Sequence, residues 1–292
     1  MGICDNRTVI ITGAGGGLGR VYALAFAAEG AAVLVNDLRQ EAAEAVADEI
    51  RAAGGDAIAD SHDITSTEGA QAIVDAALAA FGEVHVVVNN AGICRDRMFV
   101  SLNEQDWDAV MRVHLRGHFC LSNVLAKRWR DQAKDGKSVN ARIINTSSGA
   151  GLQGSIGQSN YSAAKAGIAA LTLVQAAELG RYGITANALA PQARTGMTEG
   201  VFAEMMKKPD GEAFDFWAPE NVAPLVVWLG SAASRHVTGQ VFEAVGGKIS
   251  LADGWRSGPE VDKGARWLPD EVGPAVDGLL RRAEPAQKVY GA

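Results

Sequence analysis

The sequence predicts an α/β protein of the doubly wound kind: a single domain built on a seven-stranded parallel sheet with helices on both faces. Three observations carry this. Short β-branched runs alternate with longer alanine-rich segments of helical period. Several of those runs are apolar on both faces, as strands covered by helices on each side must be. No repeat or low-complexity linker interrupts residues 8–250.

The elements follow in order. TVIIT at 8–12 opens the sheet and a helix over 17–29 follows; AVLVND at 32–37 precedes a helix over 40–53, and residues 57–60 one over 67–81. VHVVVN at 84–89 leads to a long helix over 104–133, ARIINT at 141–146 to one over 160–181, and ITANAL at 184–189 to one over 219–230. QVFEAV at 240–245 closes the sheet, and polar residues 131–140 read as a loop. Residues 1–253 are expected to form the cofactor-binding and catalytic domain. Residues 254–292, with Trp255, Trp267 and scattered breakers, read as an irregular extension of it ending in a short helix near 276–282.

Composition narrows the class. Of 292 residues, 48% are hydrophobic and 21% charged, which is globular material rather than disorder. No apolar stretch approaches the roughly 20 residues of a membrane span. The first strand begins by Thr8, too early for a secretion signal, so a cytoplasmic location is expected. Cys4, Cys94 and Cys120 form no CxxC pair, which argues against a disulfide frame or a metal site. A net charge of −7 disfavours nucleic acid as a partner.

Chemistry is signalled first at the end of the opening strand, where Thr12, Gly13, Ala14, Gly15, Gly16, Gly17, Leu18 and Gly19 precede an alanine-rich helix. Glycines there permit a tight turn and close backbone approach to a pyrophosphate, and the helix N-terminus offers free N–H groups. Such a turn alone is a weak signal; its position at the first strand-to-helix crossing strengthens it. Asp37 ends the second strand about 20 residues beyond these glycines, where a carboxylate can accept hydrogen bonds from an adenosine ribose. It would repel the 2′-phosphate of NADP, and no basic residue at Gly15 or Gly16 offsets it, so NAD is the expected cofactor. Arg39 is a counterweight to that preference, and a plain turn-forming acid is the alternative reading of Asp37.

TGAGGGLG at 12–19, NNAG at 89–92 and NTSS followed by YSAAK at 161–165 together resemble the short-chain dehydrogenase/reductase family over about 250 residues. The resemblance implies a Rossmann-type fold and cofactor contacts from Gly13, Gly17, Leu18, Gly19, Asp37, Asp63, Ile64, Asn90, Ala91, Gly92 and Pro191, together with Tyr161 and Lys165. It selects Ser148 over Ser147 as the catalytic serine, because the family's serine precedes its tyrosine by the interval that separates Ser148 from Tyr161. Asp63 also reads as a turn acid before Thr65 and Ser66. NNAGICRDRMF at 89–99, RVHLRGHF at 112–119, GQSNYSAAKAG at 157–167 and PENVAPLVVWL at 219–229 are similar to the 3-hydroxyacyl-CoA dehydrogenase branch found within peroxisomal multifunctional enzymes, and to actinobacterial relatives acting on acyl-CoA or sterol-derived substrates. Two positions depart from the family pattern. His114 stands where an asparagine often joins a proton relay, and Pro191–Gln192 replaces the usual Pro-Gly.

Tyr161 and Lys165 are four residues apart in a helical pattern and therefore share a face. Making a tyrosine a base at neutral pH takes about 4 kcal/mol of differential stabilisation, which the lysine ammonium and a nicotinamide cation are expected to provide. Ser148 would orient the substrate oxygen and Lys165 hold the nicotinamide ribose. His114 either carries a water-linked proton path or is a buried histidine satisfied by a backbone carbonyl. Its i, i+4 spacing to His118 suits a metal, but no third ligand accompanies the pair. Asn187 reads as a stitch between strands and Cys94 as packing.

Val201, Phe202, Met205, Met206, Phe214, Phe216 and Trp217 lie between the sixth and seventh strands, where a lid would cover the substrate. The expected substrate is therefore hydrophobic or an acyl thioester, with Arg95 and Arg97 either meeting CoA phosphates or lying in a solvated loop. A hydroxysteroid dehydrogenase, a 3-oxoacyl carrier-protein reductase and a non-catalytic NAD(H)-sensing protein are the alternatives. A sensor has no need of Ser148, Tyr161 and Lys165 together. The resemblance implies a homodimer or homotetramer paired through the long fourth and fifth helices, and the alanine-rich face of 163–177 would allow that close contact.

Overall fold

A computed structural model describes residues 2–196, 204, 206–211, 213–285 and 287–291. The chain runs β1 (Thr8–Thr12), α1 (Gly17–Ala28), β2 (Ala32–Asn36), α2 (Gln40–Ala52), β3 (Ala57–Asp60), α3 (Thr67–Phe81), β4 (Val86–Asn89), α4 (Glu104–Met111), α5 (Gly117–Lys134), β5 (Ala141–Thr146), α6 (Gly149–Gln153), α7 (Ser159–Leu179), β6 (Ile184–Gln192), α8 (Ala223–Gly230), β7 (Val241–Val245), β8 (Lys248–Leu251) and α9 (Pro269–Arg282). Strand order is β3-β2-β1-β4-β5-β6-β7-β8. The first seven strands are parallel, and direction along the sheet reverses between β1 and β4, the place where open α/β sheets bind ligands.

The doubly apolar strands are explained by the core. Val9 and Ile11 of β1 pack with Phe26 of α1 and Val226 of α8, whereas Ile10 between them packs with Ile73 of α3 and Leu121 of α5. Both faces are thus covered. Trp129 closes the second layer, its indole N–H donating to the Val84 carbonyl at 2.8 Å.

The sheet has eight strands rather than seven, and β8 is antiparallel to β7. Gly246 (φ +53°) and Gly247 form a two-residue turn that returns the chain beside β7. The predicted helix over 104–133 is interrupted by a π-helical turn at Arg112–Arg116 and runs on to Lys134, shortening the polar loop. In the extension, α9 is longer than expected and buries no residue; Val272, Val276 and Leu280 are exposed along one face. No helix among the described residues is long and apolar enough to cross a membrane.

Candidate active site

The site gathers at the carboxyl ends of β1, β2, β4 and β5. After β1 the backbone turns at Gly13 (φ +61°), where a Cβ would lie 2.7 Å from the Ala91 Cα. At Gly19 a Cβ would lie 2.3 Å from the Gly13 carbonyl oxygen, so α1 can pack this closely only as glycine. Gly16 caps α1 without a side-chain hydrogen bond and has open space around it, leaving the helix's first N–H groups for a ligand. Asn90 braces this cradle: its side-chain amide donates to the carbonyls of Thr12 (3.0 Å) and Gly13 (3.2 Å). Thr12 Oγ1 accepts from the N–H groups of both Asn90 and Ala91, a role not singled out from sequence although Thr12 stands inside the motif.

Asp37 sits at the end of β2 and accepts from the Gly15 N–H at 3.2 Å and the Arg39 N–H at 3.0 Å, so it borders the glycine turn. The Arg39 guanidinium approaches the carboxylate at 3.4 Å but is 74% exposed, a weak and screened pair. Asp63 accepts from the N–H and hydroxyl of Thr65 at 2.8 and 2.9 Å, forming the expected turn. Ile64 is buried against Gly117, where a Cβ would lie 2.7 Å from its Cδ1. Leu18, in the first turn of α1, packs against the core. A glycine cradle, an open helix N-terminus and a bordering carboxylate fit a dinucleotide. The pyrophosphate would lie over Gly13–Gly19 and the adenosine ribose against Asp37.

Ser148 caps α6, accepting from the Ala150 N–H at 3.2 Å, and its side chain lies beside the Tyr161 phenol, where it opposes part of the upward push of burial. Ser147 is committed elsewhere: buried, it donates to the Lys165 carbonyl at 2.8 Å. Lys165 lies one turn beyond Tyr161 on α7, with Nζ 5.5 Å from the phenol ring centroid and donating to the Thr146 carbonyl at 2.6 Å. Burial pushes the lysine down to about 7 and the tyrosine phenol up from its ordinary value. The tyrosine shift runs opposite to the lowering expected from sequence. That expectation relied on two cations, one of which belongs to the cofactor, and the other is itself driven toward neutrality by burial.

His114 occupies the π turn, wholly buried and held down to about 3, hence neutral. Its Nε2 is 2.8 Å from the Ile93 carbonyl and 3.0 Å from the Ile93 N–H, and its ring meets Tyr161 edge-on at 5.2 Å. Nδ1 finds no hydrogen-bond partner among the described residues. Gly92 is tight against this ring, where a Cβ would lie 2.3 Å from Cε1. His118 turns instead to the Thr146 N–H, which donates to its Nε2 at 3.3 Å.

Asn160 is a residue that sequence reading missed. Buried beside the phenol, it accepts from the Tyr161 N–H at 2.8 Å and donates to the carbonyls of Arg95 (3.1 Å) and Asp106 (3.2 Å). It thereby ties the start of α7 to the loop after β4. Arg97 pairs with Asp106 at 2.6 Å, and Arg95 donates to the Cys94 carbonyl while approaching Asp106 at 4.0 Å. Both guanidinium groups stay half exposed. Cys94 is partly buried, its thiol pushed up to about 11 by burial, a state that suits packing and not nucleophilic attack. Asn187 donates to the Val237 carbonyl and accepts from the Gln240 N–H, stitching β6 to the β7 approach. Pro191 and Gln192 are the last rungs of β6, opposite Ala244 and Val245.

Of the lid residues, Val201, Phe202 and Met205 lie outside the described residues. Met206 is buried, Phe214 exposed, and Phe216 stacks edge-on against Trp217 at 5.0 Å. Arg194 holds this segment, donating to the Met206 carbonyl at 2.8 Å and pairing with Asp215.

The chain belongs to the short-chain dehydrogenase family, whose model matches residues 7–206, and it is an oxidoreductase of that family. Among its relatives, the hydroxyacyl-CoA dehydrogenase ChsB1 of Mycobacterium tuberculosis is 44% identical over 97% of this chain and 91% of its own length. The peroxisomal multifunctional enzyme type 2 of Mus musculus is 45% identical over 84% of this chain, which spans only 32% of that protein. Of solved structures, a short-chain dehydrogenase from Mycobacterium avium superposes with a TM-score of 0.92 at 56% identity, covering 100% of both chains. A 7α-hydroxysteroid dehydrogenase complexed with NADH and 7-oxo glycochenodeoxycholic acid superposes at 0.74 with 31% identity, covering 84% of this chain and 94% of its own.

Proposed function

We propose that this enzyme is an NAD-dependent dehydrogenase of bulky secondary alcohols, with 3-hydroxyacyl-CoA or sterol-derived alcohols as substrates. The observation that carries the reading is Tyr161 with its phenol beside the Ser148 side chain and Lys165 one helical turn away, Nζ 5.5 Å from the phenol ring centroid, at the carboxyl end of β5. A nicotinamide dinucleotide held over the glycine cradle supplies the hydride acceptor or donor. Ser148 holds the carbinol oxygen, and Tyr161 takes the hydroxyl proton in oxidation or returns it to the ketone in reduction. Lys165 holds the nicotinamide ribose and favours phenolate when charged. His114, neutral, positions Tyr161 through ring contact and the loop after β4 through Ile93.

The substrate class rests on the relatives' names and on the apolar Met206, Phe216 and Trp217 near the exit of β6. The test is kcat/KM for matched 3-hydroxyacyl-CoA, steroid and polyol substrates, followed by NADH absorbance. The acyl thioester is expected to lead, and a strong preference for the polyol overturns the assignment.

Asp37 supports NAD over NADP by placing a carboxylate beside Gly15. Asp37→Ala is expected to weaken NADH and tighten NADPH. A fluorescence titration in which the unmodified enzyme already prefers NADPH would show the cofactor reading wrong.

The enzyme is expected to be a homodimer or homotetramer joined through α5 and α7. Those helices leave Phe119 and Val174 about half exposed around an apolar groove that Leu115 and Leu171 also line. Light scattering that finds a monomer at every concentration refutes this.

A further inference from the structure

The extension leaves the sheet at Leu251 and returns only near the end of the chain, at Tyr290, beside the catalytic centre. The Tyr290 N–H donates to the Gly154 carbonyl at 3.1 Å, and its carbonyl accepts from the Ile156 N–H at 3.0 Å. These bonds make a parallel bridge between Ser155 and Tyr290. On the opposite side of the same segment the Arg97 N–H donates to the Gly157 carbonyl at 2.8 Å, and Gln158 donates to Asp96 at 2.8 Å. Residues 154–158 therefore run between two straps, with glycine corners at Gly154 (φ +80°) and Gly157 (φ +78°). That segment is the connection between Ser148 and Tyr161.

The Tyr290 side chain reaches further. Its ring lies over Gly149, the residue after Ser148: a Cβ there would be 2.7 Å from the Tyr290 hydroxyl oxygen and 2.8 Å from Cε2. The hydroxyl lies beside the Gln153 side chain at the end of α6. Backbone and ring together hold the Ser148 side of the connection, from Gly149 to Ile156, while Arg97 and Asp96 hold its Tyr161 side.

We propose that Tyr290 is a positioning residue, which holds the Ser148–Tyr161 connection in place and walls the substrate side of the site at Gly149. The proposal rests on the catalytic reading given above. A long acyl or ring substrate, which must pass this wall, depends on it more than a short one does. Orientation effects of this kind are large, because a displacement of about 1 Å costs on the order of 100-fold in rate.

Three variants test it: Tyr290→Ala, Tyr290→Phe and a chain ending at Lys288. For long 3-hydroxyacyl-CoA substrates, Tyr290→Ala and the shortened chain are expected to lose roughly 10- to 100-fold in kcat/KM. The loss should be smaller for a short acyl chain, NADH affinity should be unchanged, and Tyr290→Phe should retain most of the activity because the ring remains. Gly149→Ala should reproduce the loss by displacing the ring, with little further loss when combined with Tyr290→Ala. Unchanged kcat/KM in both Tyr290→Ala and the shortened chain overturns the proposal, as does an equal fall in NADH affinity. If the unmodified enzyme turns over no acyl thioester, the substrate reading alone has failed. Hydrogen exchange then decides, because the Ile156 amide must lose protection in the shortened chain, and retained protection overturns the strap.

Discussion

Tyr161→Phe is expected to abolish turnover, lowering kcat by roughly 10²- to 10⁴-fold, the range in which a positioned proton-transfer group contributes. The change removes one oxygen and little else. The ring keeps its edge-on contact with His114 at 5.2 Å, and the backbone N–H keeps its bond to Asn160. Ser148 retains the Ala150 N–H as a partner, so α6 stays capped. The dinucleotide cradle around Gly13–Gly19 is untouched, and NADH affinity by fluorescence titration should stay near that of the unmodified enzyme. Near-normal turnover in this variant would remove the phenol from the mechanism.

Apart from positions such as Ser148 and Asn90, which the family resemblance supplies, the parts of the site legible in the sequence are those set by local geometry. A glycine turn between a strand and a helix, an acid at the next strand's end and a four-residue Tyr–Lys spacing each follow from one element's periodicity. Residues whose roles depend on contacts between distant segments were not legible. Asn160 looks like any polar residue at a helix start, and only the approach of the loop after β4 and of α4 gives its amide two carbonyls to serve. The π turn at His114 has no proline or glycine pair to announce it. β8 did have a signal, since Gly246–Gly247 between two short runs is a hairpin turn; its four residues are all exposed, and with Ile249 and Leu251 on one face only it lacks the doubly apolar character by which the other strands are recognised. The return of Tyr290 to Gly154 joins segments from distant parts of the chain and has no local signature.

Lys165→Met is expected to inactivate the enzyme and, at neutral or lower pH, to stabilise its fold. Lys165 is 2% exposed, and burial takes its ammonium from an ordinary 10.5 down to about 7. No carboxylate within 4.0 Å compensates among the described residues. The gap between those values corresponds to about 5 kcal/mol against the charged form. Below pH 7 both folded and unfolded chains carry the proton and the folded state bears the whole cost. Between pH 7 and 10.5 the unfolded chain binds the extra proton, so the stability of the unmodified enzyme rises with pH; above 10.5 the cost is gone. Methionine of similar length removes the cost but leaves the Thr146 carbonyl without its 2.6 Å donor, a loss of about 1–3 kcal/mol. The net gain should be about 2–4 kcal/mol near pH 6.5 and should shrink or reverse toward pH 10. Urea unfolding at the two pH values measures it. A destabilised variant at pH 6.5 would mean that the ammonium is better solvated than its burial implies, and that the enzyme does not trade stability for a charge beside its catalytic phenol.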